Sequence, residues 1–208
     1  MVATASIEAE LAQRGISAVH RWSRGVDLTQ FTPSAPAPVE FANLERPIQL
    51  YVGRVAVEKN VEAFLAAAHP GSKVVVGDGP AFPALKARFP GAVFLGRRTG
   101  HALAGCYAGA DVLVFPSRTN TFGLVIVEAL ACGTPVAAFP VTGPIDIVTP
   151  DCGALSQDLA RAIAGALFSD RRVCARRGAA FSWEAATDQF VAGLTALPTV
   201  LRTATPLS

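Results

Sequence analysis

From residue 47 onward, short runs of hydrophobic residues alternate with longer segments in which hydrophobic residues recur at helical spacing. Each short run is followed directly by glycine or proline, which predicts buried strands at 48–52, 73–76, 93–95, 112–115 and 136–139. The longer segments predict helices at 61–68, 101–108, 124–132, 158–168 and 183–197, and another with Pro80 in its first turn. Strands that alternate with helices predict the α/β class, with a doubly wound, Rossmann-like parallel sheet covered on both faces.

The first 46 residues follow a different pattern. A helix is predicted at 6–15, where Gly15 ends it, and a short strand at 18–22. The segment 32–47 carries four prolines, which is typical of an extended and semi-rigid linker. Because one helix and one strand cannot form a core, we expect residues 1–22 to belong to a larger unit, 23–46 to form a hinge or linker, and 47–208 to form the main domain.

Composition narrows the class of protein. The 208 residues are 51% hydrophobic and 16% charged, which is typical of a globular protein and excludes disordered, collagen-like and disulfide-scaffold chains. The net charge of +2, with two Trp and two Tyr, gives neither the field nor the stacking surface that a nucleic-acid partner requires. We therefore expect no nucleic-acid partner.

The cysteine pattern indicates the compartment. Cys106, Cys132, Cys152 and Cys174 are widely spaced in apolar or small-residue surroundings, without a CxxC pair, which predicts buried free thiols in a reducing cytoplasm. The most apolar stretch, 124–141, is interrupted by a glutamate, a glycine and two prolines, so it predicts helix, turn and strand instead of a membrane span. Since the sequence has no carboxylate or histidine cluster at ligand spacing, we expect neither a metal nor a cofactor.

Two loops at the predicted carboxyl edge of the sheet carry candidate chemistry, because ligands of such sheets bind outside the carboxyl ends of the strands. The first loop, 53–60, contains Arg54 and Lys59, which could neutralise a diphosphate without a metal. The alternative is an ordinary surface loop in which Arg54 pairs with Glu58.

The second loop, 117–124, directly precedes the fourth of the predicted helices in the main domain. Asn120 or Thr121 is predicted to cap that helix, which leaves the amides of 122–125 as an anion site reinforced by the helix dipole. Glu128 stands one turn further among apolar residues, where a carboxylate is unfavourable to bury without partners. Glu128 therefore faces the crevice or a hydroxyl, or it lies on a solvated helix face.

The segment Gly77-Asp78-Gly79 resembles a dinucleotide fingerprint only weakly. Phe82 stands where the third glycine would be, and the segment follows the second strand instead of the first. This pattern does not favour a nicotinamide or flavin dinucleotide.

In combination, these segments resemble the C-terminal, nucleotide-binding half of GT-B glycosyltransferases of the retaining family four, also called glycosyl transferases group 1. The matching segments are WSRGVD (22–27) with Phe31, YVGR (51–54), EKN (58–60), VGDGP (76–80), FLG (94–96), ADVLVFPS (110–117), TFGL (121–124), EALACGTPV (128–136) and FSWE (181–184). They follow one another in the family's order and spacing from about residue 5 to residue 197.

The resemblance implies a role for each candidate residue. Gly53, Arg54 and Lys59 would hold the diphosphate of a nucleotide sugar, and the backbone around Leu95, Gly96 and Arg97 would contact the base. The distal phosphate and the sugar would lie close to the backbone amides of the segment that starts the predicted helix 124–132, namely Thr121, Phe122, Gly123, Leu124 and Val125. Glu128 would accept hydrogen bonds from the ribose hydroxyls. Asn120 stands where the family usually has the first acid of its Glu-x7-Glu motif, so a charge that the family uses is missing. Arg54, Lys59 and Asn120 would be the catalytic residues.

The resemblance also implies a reaction: retaining, metal-independent transfer of a hexose from a nucleotide diphosphate sugar to a lipid or glycan, in bacterial glycolipid or surface polysaccharide synthesis. Family members have an N-terminal acceptor domain, which we expect to be absent here, with residues 1–22 as its last helix and strand. The exposed segment would then self-associate or bind a partner chain through Ile7, Leu11, Val19 and Trp22, and peripheral contact with the inner membrane is a further expectation. The alternatives are a non-catalytic nucleotide-binding module of a split glycosyltransferase, a nucleotide-sugar epimerase, and an unrelated α/β scaffold for another phosphate ligand.

Overall fold

A computed structural model describes residues 1–194. Its six strands form one sheet in the order β3-β2-β1-β4-β5-β6, and every neighbouring pair is parallel. The strands are β1 (Gln49–Val52), β2 (Lys73–Val76), β3 (Val93–Gly96), β4 (Val112–Phe115), β5 (Val136–Ala138) and β6 (Gly153–Leu155). The helices are α1 (Ala5–Gln13), α2 (Val61–Ala66), α3 (Phe82–Arg88), α4 (Gly100–Gly109), α5 (Leu124–Ala131), α6 (Pro144–Ile147), α7 (Leu159–Ala166), α8 (Arg171–Ala179) and α9 (Trp183–Ala192).

Alternating side chains of the strands build two hydrophobic cores, one on each face of the sheet. Leu50 and Val52 of β1 point to the face covered by α4 and α5, whereas Tyr51 points to the face covered by α2 and α7. The four central strands, β2, β1, β4 and β5, are buried on both faces almost throughout, which explains why they are nearly continuous hydrophobic runs. The predicted doubly wound α/β sheet is therefore present.

The strand order reverses between β1 and β4 at the centre of the sheet. In a doubly wound sheet, the loops that leave two such strands diverge to opposite faces and open a crevice at the carboxyl edge. The two candidate loops, 53–60 and 117–124, leave β1 and β4. The topology therefore brings them to the two sides of one crevice.

The segment before β1 packs on the sheet domain. The backbone amide of Ser6 donates to Asp146 Oδ1 over 2.9 Å, and the ring of Trp22 packs at a tilt of 55° on Phe190 of α9, with ring centroids 5.2 Å apart. Phe31 and Phe41 enter the core, and the proline-rich stretch between them lies against α4, where a Cβ at Gly105 would be 2.2 Å from the carbonyl oxygen of Pro36. Trp22 therefore has a partner within the chain, contrary to the expectation that it is unpartnered.

Several local predictions are wrong. The strand predicted at 18–22 does not join the sheet. Instead, Arg21 of this segment forms an isolated bridge with Val2. The third helix begins at Phe82 with Pro83 in its first turn, so Pro80 precedes the helix. Three elements were not predicted, namely α6, β6 and α8. The predicted last helix, 183–197, is present as α9, and residues 195–197 lie outside the described residues.

Candidate functional site

A cleft of about 670 Å³ opens at the carboxyl ends of β1 and β4, at the reversal of strand order. The loop after β1 forms one wall, and the loop before α5 with the first turns of that helix forms another. The sequence-predicted residues that line this cleft are Gly53, Arg54, Lys59, Asn120, Thr121, Phe122, Gly123, Leu124, Val125 and Glu128. Both candidate loops therefore contribute to one site.

The amino terminus of α5 is formed by glycine and not by a side-chain cap. Gly123 occupies the N-cap position with φ of +95°, and neither Asn120 nor Thr121 caps the helix, which corrects the prediction. A Cβ on Gly123 would lie 2.9 Å from Asn120 Nδ2 and 2.9 Å from Ile126 Cδ1, so the tight turn requires glycine. Within residues 1–194, no backbone or side-chain oxygen accepts from the amides of 122–125. These amides and the helix dipole favour an anion at this end of the cleft.

Glu128 is half-buried in the cleft wall and is held by a neighbour on α4. The hydroxyl of Tyr107 donates to Glu128 Oε2 over 2.8 Å. Burial raises the pKa of Glu128 above its usual value, and the hydrogen bond from Tyr107 opposes part of this rise. Glu128 is thus a partly desolvated acceptor that faces the cleft, and the alternative of a solvated helix face is wrong.

The two cations of the first loop differ in their surroundings. Arg54 forms an ion pair with Glu58, with Nη1 and Oε1 3.4 Å apart, and their side chains are 65% and 55% exposed. The pairing of Arg54 with Glu58 that the surface-loop alternative predicts is therefore present. An exposed ion pair of this length contributes little to stability, so it can open when a phosphate binds to Arg54. Lys59 is half-buried at the cleft wall, and no acid of residues 1–194 pairs with it.

Two hydrogen bonds fix this loop in place. The hydroxyl of Tyr51 donates to the carbonyl of Arg54 over 2.7 Å, and Asn60 Nδ2 donates to the carbonyl of Pro116 over 3.1 Å. The second bond links the loop after β1 to the end of β4, and Asn60 adopts φ of +54° to reach it. The two cations are therefore carried on a loop that is attached to the opposite side of the crevice.

The geometry can be compared with known proteins. The sequence profile of the family described as Glycosyl transferases group 1 matches residues 46–169. The chain belongs to this family. With the sheet order, this confirms the predicted fold class, a Rossmann-like parallel sheet of the kind that forms the C-terminal half of GT-B glycosyltransferases.

Curated relatives are similar over part of their length. The chain is 44% identical over 152 residues to a GDP-mannose-dependent alpha-mannosyltransferase of Mycobacterium tuberculosis, a match that covers 71% of the chain and 40% of that relative. It is 35% identical over 164 residues to sulfoquinovosyl transferase SQD2 of Arabidopsis thaliana, over 73% of the chain and 32% of that protein. The chain thus spans less than half the length of these relatives.

Solved structures share the fold. Sucrose-phosphate synthase from Thermosynechococcus elongatus superposes with a TM-score of 0.74 at 29% identity, over 92% of the chain and 56% of that structure. Anabaena HepE in complex with UDP superposes with a TM-score of 0.71 at 19% identity, over 92% of the chain and 62% of that structure. The latter likeness concerns the fold alone.

The predicted base contacts, Leu95, Gly96 and Arg97, lie outside the cleft between β1 and β4, which we call the main cleft. Arg97 lines an adjoining cleft of about 520 Å³ that shares Gly53 and Arg54 with the main one. Leu95 and Gly96 are not among the lining residues of either cleft, and the carbonyl of Gly96 accepts from the amide of Gly77. The structure therefore brings Arg97 to the edge of the site but not the other two.

The Gly77-Asp78-Gly79 segment has a packing role in this domain. A Cβ on Gly77 would lie 1.8 Å from the carbonyl oxygen of Gly53, and one on Gly79 would lie 2.4 Å from that of Val55. The amide of Val55 also donates to the carbonyl of Asp78 over 2.9 Å. These glycines let the loop after β2 support, backbone to backbone, the loop that carries Arg54.

One wall of the cleft was not predicted. Arg24, Asp27 and Trp183 line the cleft. Trp183 packs directly on Gly25, where a Cβ would be 2.5 Å from the indole ring. Arg24 and Asp27 belong to the WSRGVD segment and Trp183 to FSWE. The motifs therefore marked these residues, but the sequence did not show that they line the cleft.

Within the described residues, no group of three or more potential ligands could hold a metal ion. No described helix has both the length and the hydropathy that a membrane span requires.

Proposed function

We propose that this glycosyltransferase domain binds a nucleotide diphosphate sugar in the main cleft and that the enzyme to which it belongs transfers the hexose with retention and without a metal. One observation carries the proposal: Arg54 and Lys59, the unbonded amides at the start of α5, and Glu128 converge on the same cleft. The diphosphate would lie between the cations and the amides, and the ribose hydroxyls would donate to Glu128. GDP-mannose is the first donor to test, because relatives of 44% and 46% identity are named GDP-mannose-dependent alpha-mannosyltransferases.

In the proposed transfer, the bond between the anomeric carbon and the distal phosphate oxygen breaks while the acceptor oxygen bonds to that carbon. The acceptor proton passes to the departing phosphate, whose negative charge is stabilised by the cations and the α5 amides. Such a reaction needs a closed, water-poor site. The acceptor is proposed to be a lipid or a glycan, as in bacterial glycolipid or surface polysaccharide synthesis.

A second candidate is a non-catalytic nucleotide-binding module, and Asn120 favours it. The Nδ2 atom of Asn120 is buried without an acceptor among residues 1–194, in the position where the family usually has an acid. An amide can bond a sugar hydroxyl but brings no charge. A domain of this kind would bind the donor and leave the bond between sugar and phosphate intact, so prolonged incubation of the protein with a nucleotide sugar and a candidate acceptor distinguishes the two.

We also propose a cytoplasmic location, which the four free and buried cysteines support. Peripheral membrane contact or self-association is proposed for the exposed apolar side chains near the end of α9. Val191 is 58% exposed there and Leu194 60%.

Calorimetric titration of the chain with GDP, UDP and ADP tests the proposed function. We expect at least one of these nucleotides to bind in a 1:1 ratio, with the same Kd in the presence of EDTA, because protein cations and amides neutralise the diphosphate. The titration is done at two temperatures, because binding with an enthalpy near zero at one temperature gives no measurable heat. Absence of binding to all three, or binding only with added magnesium, would contradict the proposal.

Glu128→Gln should weaken nucleotide binding by about 1–3 kcal/mol, the range for hydrogen bonds that involve a charged group. The neutral amide keeps the shape of the side chain and can still accept from Tyr107. Thermal unfolding should change little, since the carboxylate is partly desolvated in the wild type and its removal relieves that desolvation. An unchanged Kd would mean that Glu128 does not contact the ligand.

A further inference from the structure

Tyr107 is a fully buried residue of α4 that contacts the ligand-facing glutamate from behind. Its ring lies edge-on to Phe31 with centroids 6.0 Å apart, and its backbone carbonyl accepts from Thr134 Oγ1 over 2.6 Å. Full burial and the packing on Phe31 hold the ring, so its hydroxyl has a fixed position against Glu128 Oε2. The side chain does not line the cleft, and a direct contact with a ligand is therefore excluded by its place in the core.

The hydrogen bond from Tyr107 engages only one of the two carboxylate oxygens of Glu128. Oε2 of Glu128 receives the Tyr107 hydroxyl, whereas no donor among residues 1–194 reaches Oε1. Oε1 is also not among the buried atoms without a partner, so it is open to solvent in a residue that lines the cleft. A carboxylate held through one oxygen presents the other in one orientation, which lowers the entropy that a ligand hydroxyl must remove on binding.

We propose that Tyr107 is a positioning residue that orients the carboxylate of Glu128 toward a hydroxyl of the nucleotide sugar. This inference rests on the proposed function, because it assigns the free oxygen of Glu128 to the nucleotide sugar. Tyr107 acts only through Glu128 and touches neither substrate nor reacting atoms.

The charges around Glu128 give the proposal a pH signature. Tyr107 from α4 and Cys132, directly after α5, are the ionisable groups that interact with Glu128 from the protein interior. On the cleft side, the ionisable groups that line the same cleft are Arg24, Asp27, Arg54 and Lys59. Burial raises the pKa of Glu128, and the Tyr107 hydrogen bond is the contact that lowers it. Loss of the hydroxyl therefore moves the pKa upward, so protonation, and with it the loss of an acceptor, begins at a higher pH.

The test measures the Kd of the Tyr107→Phe variant for GDP-mannose or UDP-glucose, whichever the wild type binds, between pH 8 and pH 5.5. A nucleotide sugar is the better probe, because a free nucleoside diphosphate has a terminal phosphate that titrates near pH 6 like other phosphate monoesters. We expect binding to weaken about three- to tenfold at pH 8, which corresponds to one hydrogen bond. The decline on acidification should begin at a higher pH than in the wild type.

Two further variants separate positioning from loss of stability. Thr134→Val removes a buried hydrogen bond to the backbone of the same tyrosine but leaves the hydroxyl on Glu128, so it should keep the wild-type Kd and pH profile. In the Glu128→Gln background, Tyr107→Phe should have a smaller effect on Kd and none on the pH profile. In Tyr107→Phe alone, the partly buried carboxylate of Glu128 loses its hydrogen-bond donor, which could unfold the domain. The double variant has no carboxylate at this position, so it should stay folded and its Kd can still be measured.

A Tyr107→Phe variant with wild-type Kd and pH profile would overturn the proposal while the proposed function stands. The same holds if Tyr107→Phe has an equal effect with and without Glu128. If the wild-type chain bound neither nucleotide sugar, the failure would lie in the proposed function itself.

Discussion

Gly77→Ala should lower the free energy of unfolding by about 3–5 kcal/mol, because backbone strain and overpacking each contribute about 1–3 kcal/mol. The added Cβ would lie 1.8 Å from the carbonyl oxygen of Gly53, and φ at this position is +139°, a value that L-residues rarely adopt. Neither loop can move away easily. The amide of Gly53 is bonded to the carbonyl of Val76, and the amide of Gly77 to that of Gly96. The unfolding temperature should fall by about 6–20 °C, because 1 kcal/mol corresponds to about 2–4 °C for a domain of this size.

Gly91→Ala is the matched control for this substitution. It adds the same methyl group to a glycine that has nothing within 4 Å of the ideal Cβ position. Its unfolding temperature should stay within a few degrees of the wild type. If Gly77→Ala were as stable as Gly91→Ala, the two loops would not be in the backbone contact described, and the support for Arg54 would have to come from elsewhere.

The double variant Arg54→Ala, Lys59→Ala should lose at least a hundredfold in nucleotide affinity, because each charge-assisted contact contributes about 1.5–3 kcal/mol. Folding should be nearly unchanged, since Arg54 is exposed and has only the weak pair with Glu58. The loop itself is held by Tyr51 and Asn60, which the variant retains. Titration with the nucleotide that binds the wild type measures the loss.

A control with the same change in net charge excludes a general electrostatic effect. Lys86 on α3 and Arg161 on α7 are exposed and line neither cleft. The variant Lys86→Ala, Arg161→Ala should bind the nucleotide within about twofold of the wild type, because charges more than a Debye length from the ligand are screened. Equal losses in the two double variants would show that Arg54 and Lys59 have no specific contact with the diphosphate.

The sheet was predictable where its strands carry the ordinary signals. The runs 73–76 and 112–115 are hydrophobic on both faces and end at glycine or proline, and both coincide with observed strands. β6 was missed because Gly153–Leu155 has three residues and none is β-branched. α8 was missed because four of its nine residues are arginine, and it packs through Cys174 and Gly178, which hydrophobic periodicity does not detect.

The site was predictable to the same extent. Arg54, Lys59 and Glu128 could be brought together because the carboxyl ends of parallel strands meet at one edge. Tyr107 could not be found, since its contact with Glu128 depends on how α4 packs beside α5, 21 positions apart in the sequence. The cap of α5 was misassigned for a similar reason. Gly123 turns the chain while Asn120 points inward between Gly123 and Gly143, and the sequence shows only that several residues could cap.

Hydrogen exchange with and without a saturating nucleotide tests most directly whether the main cleft is the donor site. The amides of 122–125 have no acceptor among the described residues, so they should exchange fast in the free chain and slow markedly once a phosphate accepts from them. The loop 53–60 should slow with them, whereas α7 on the opposite face of the sheet should not change. A second cavity, of about 660 Å³, is lined by Glu8, His20 and Asp146 among others. Binding that leaves 122–125 unprotected, or that protects only amides around this second cavity, would contradict the account.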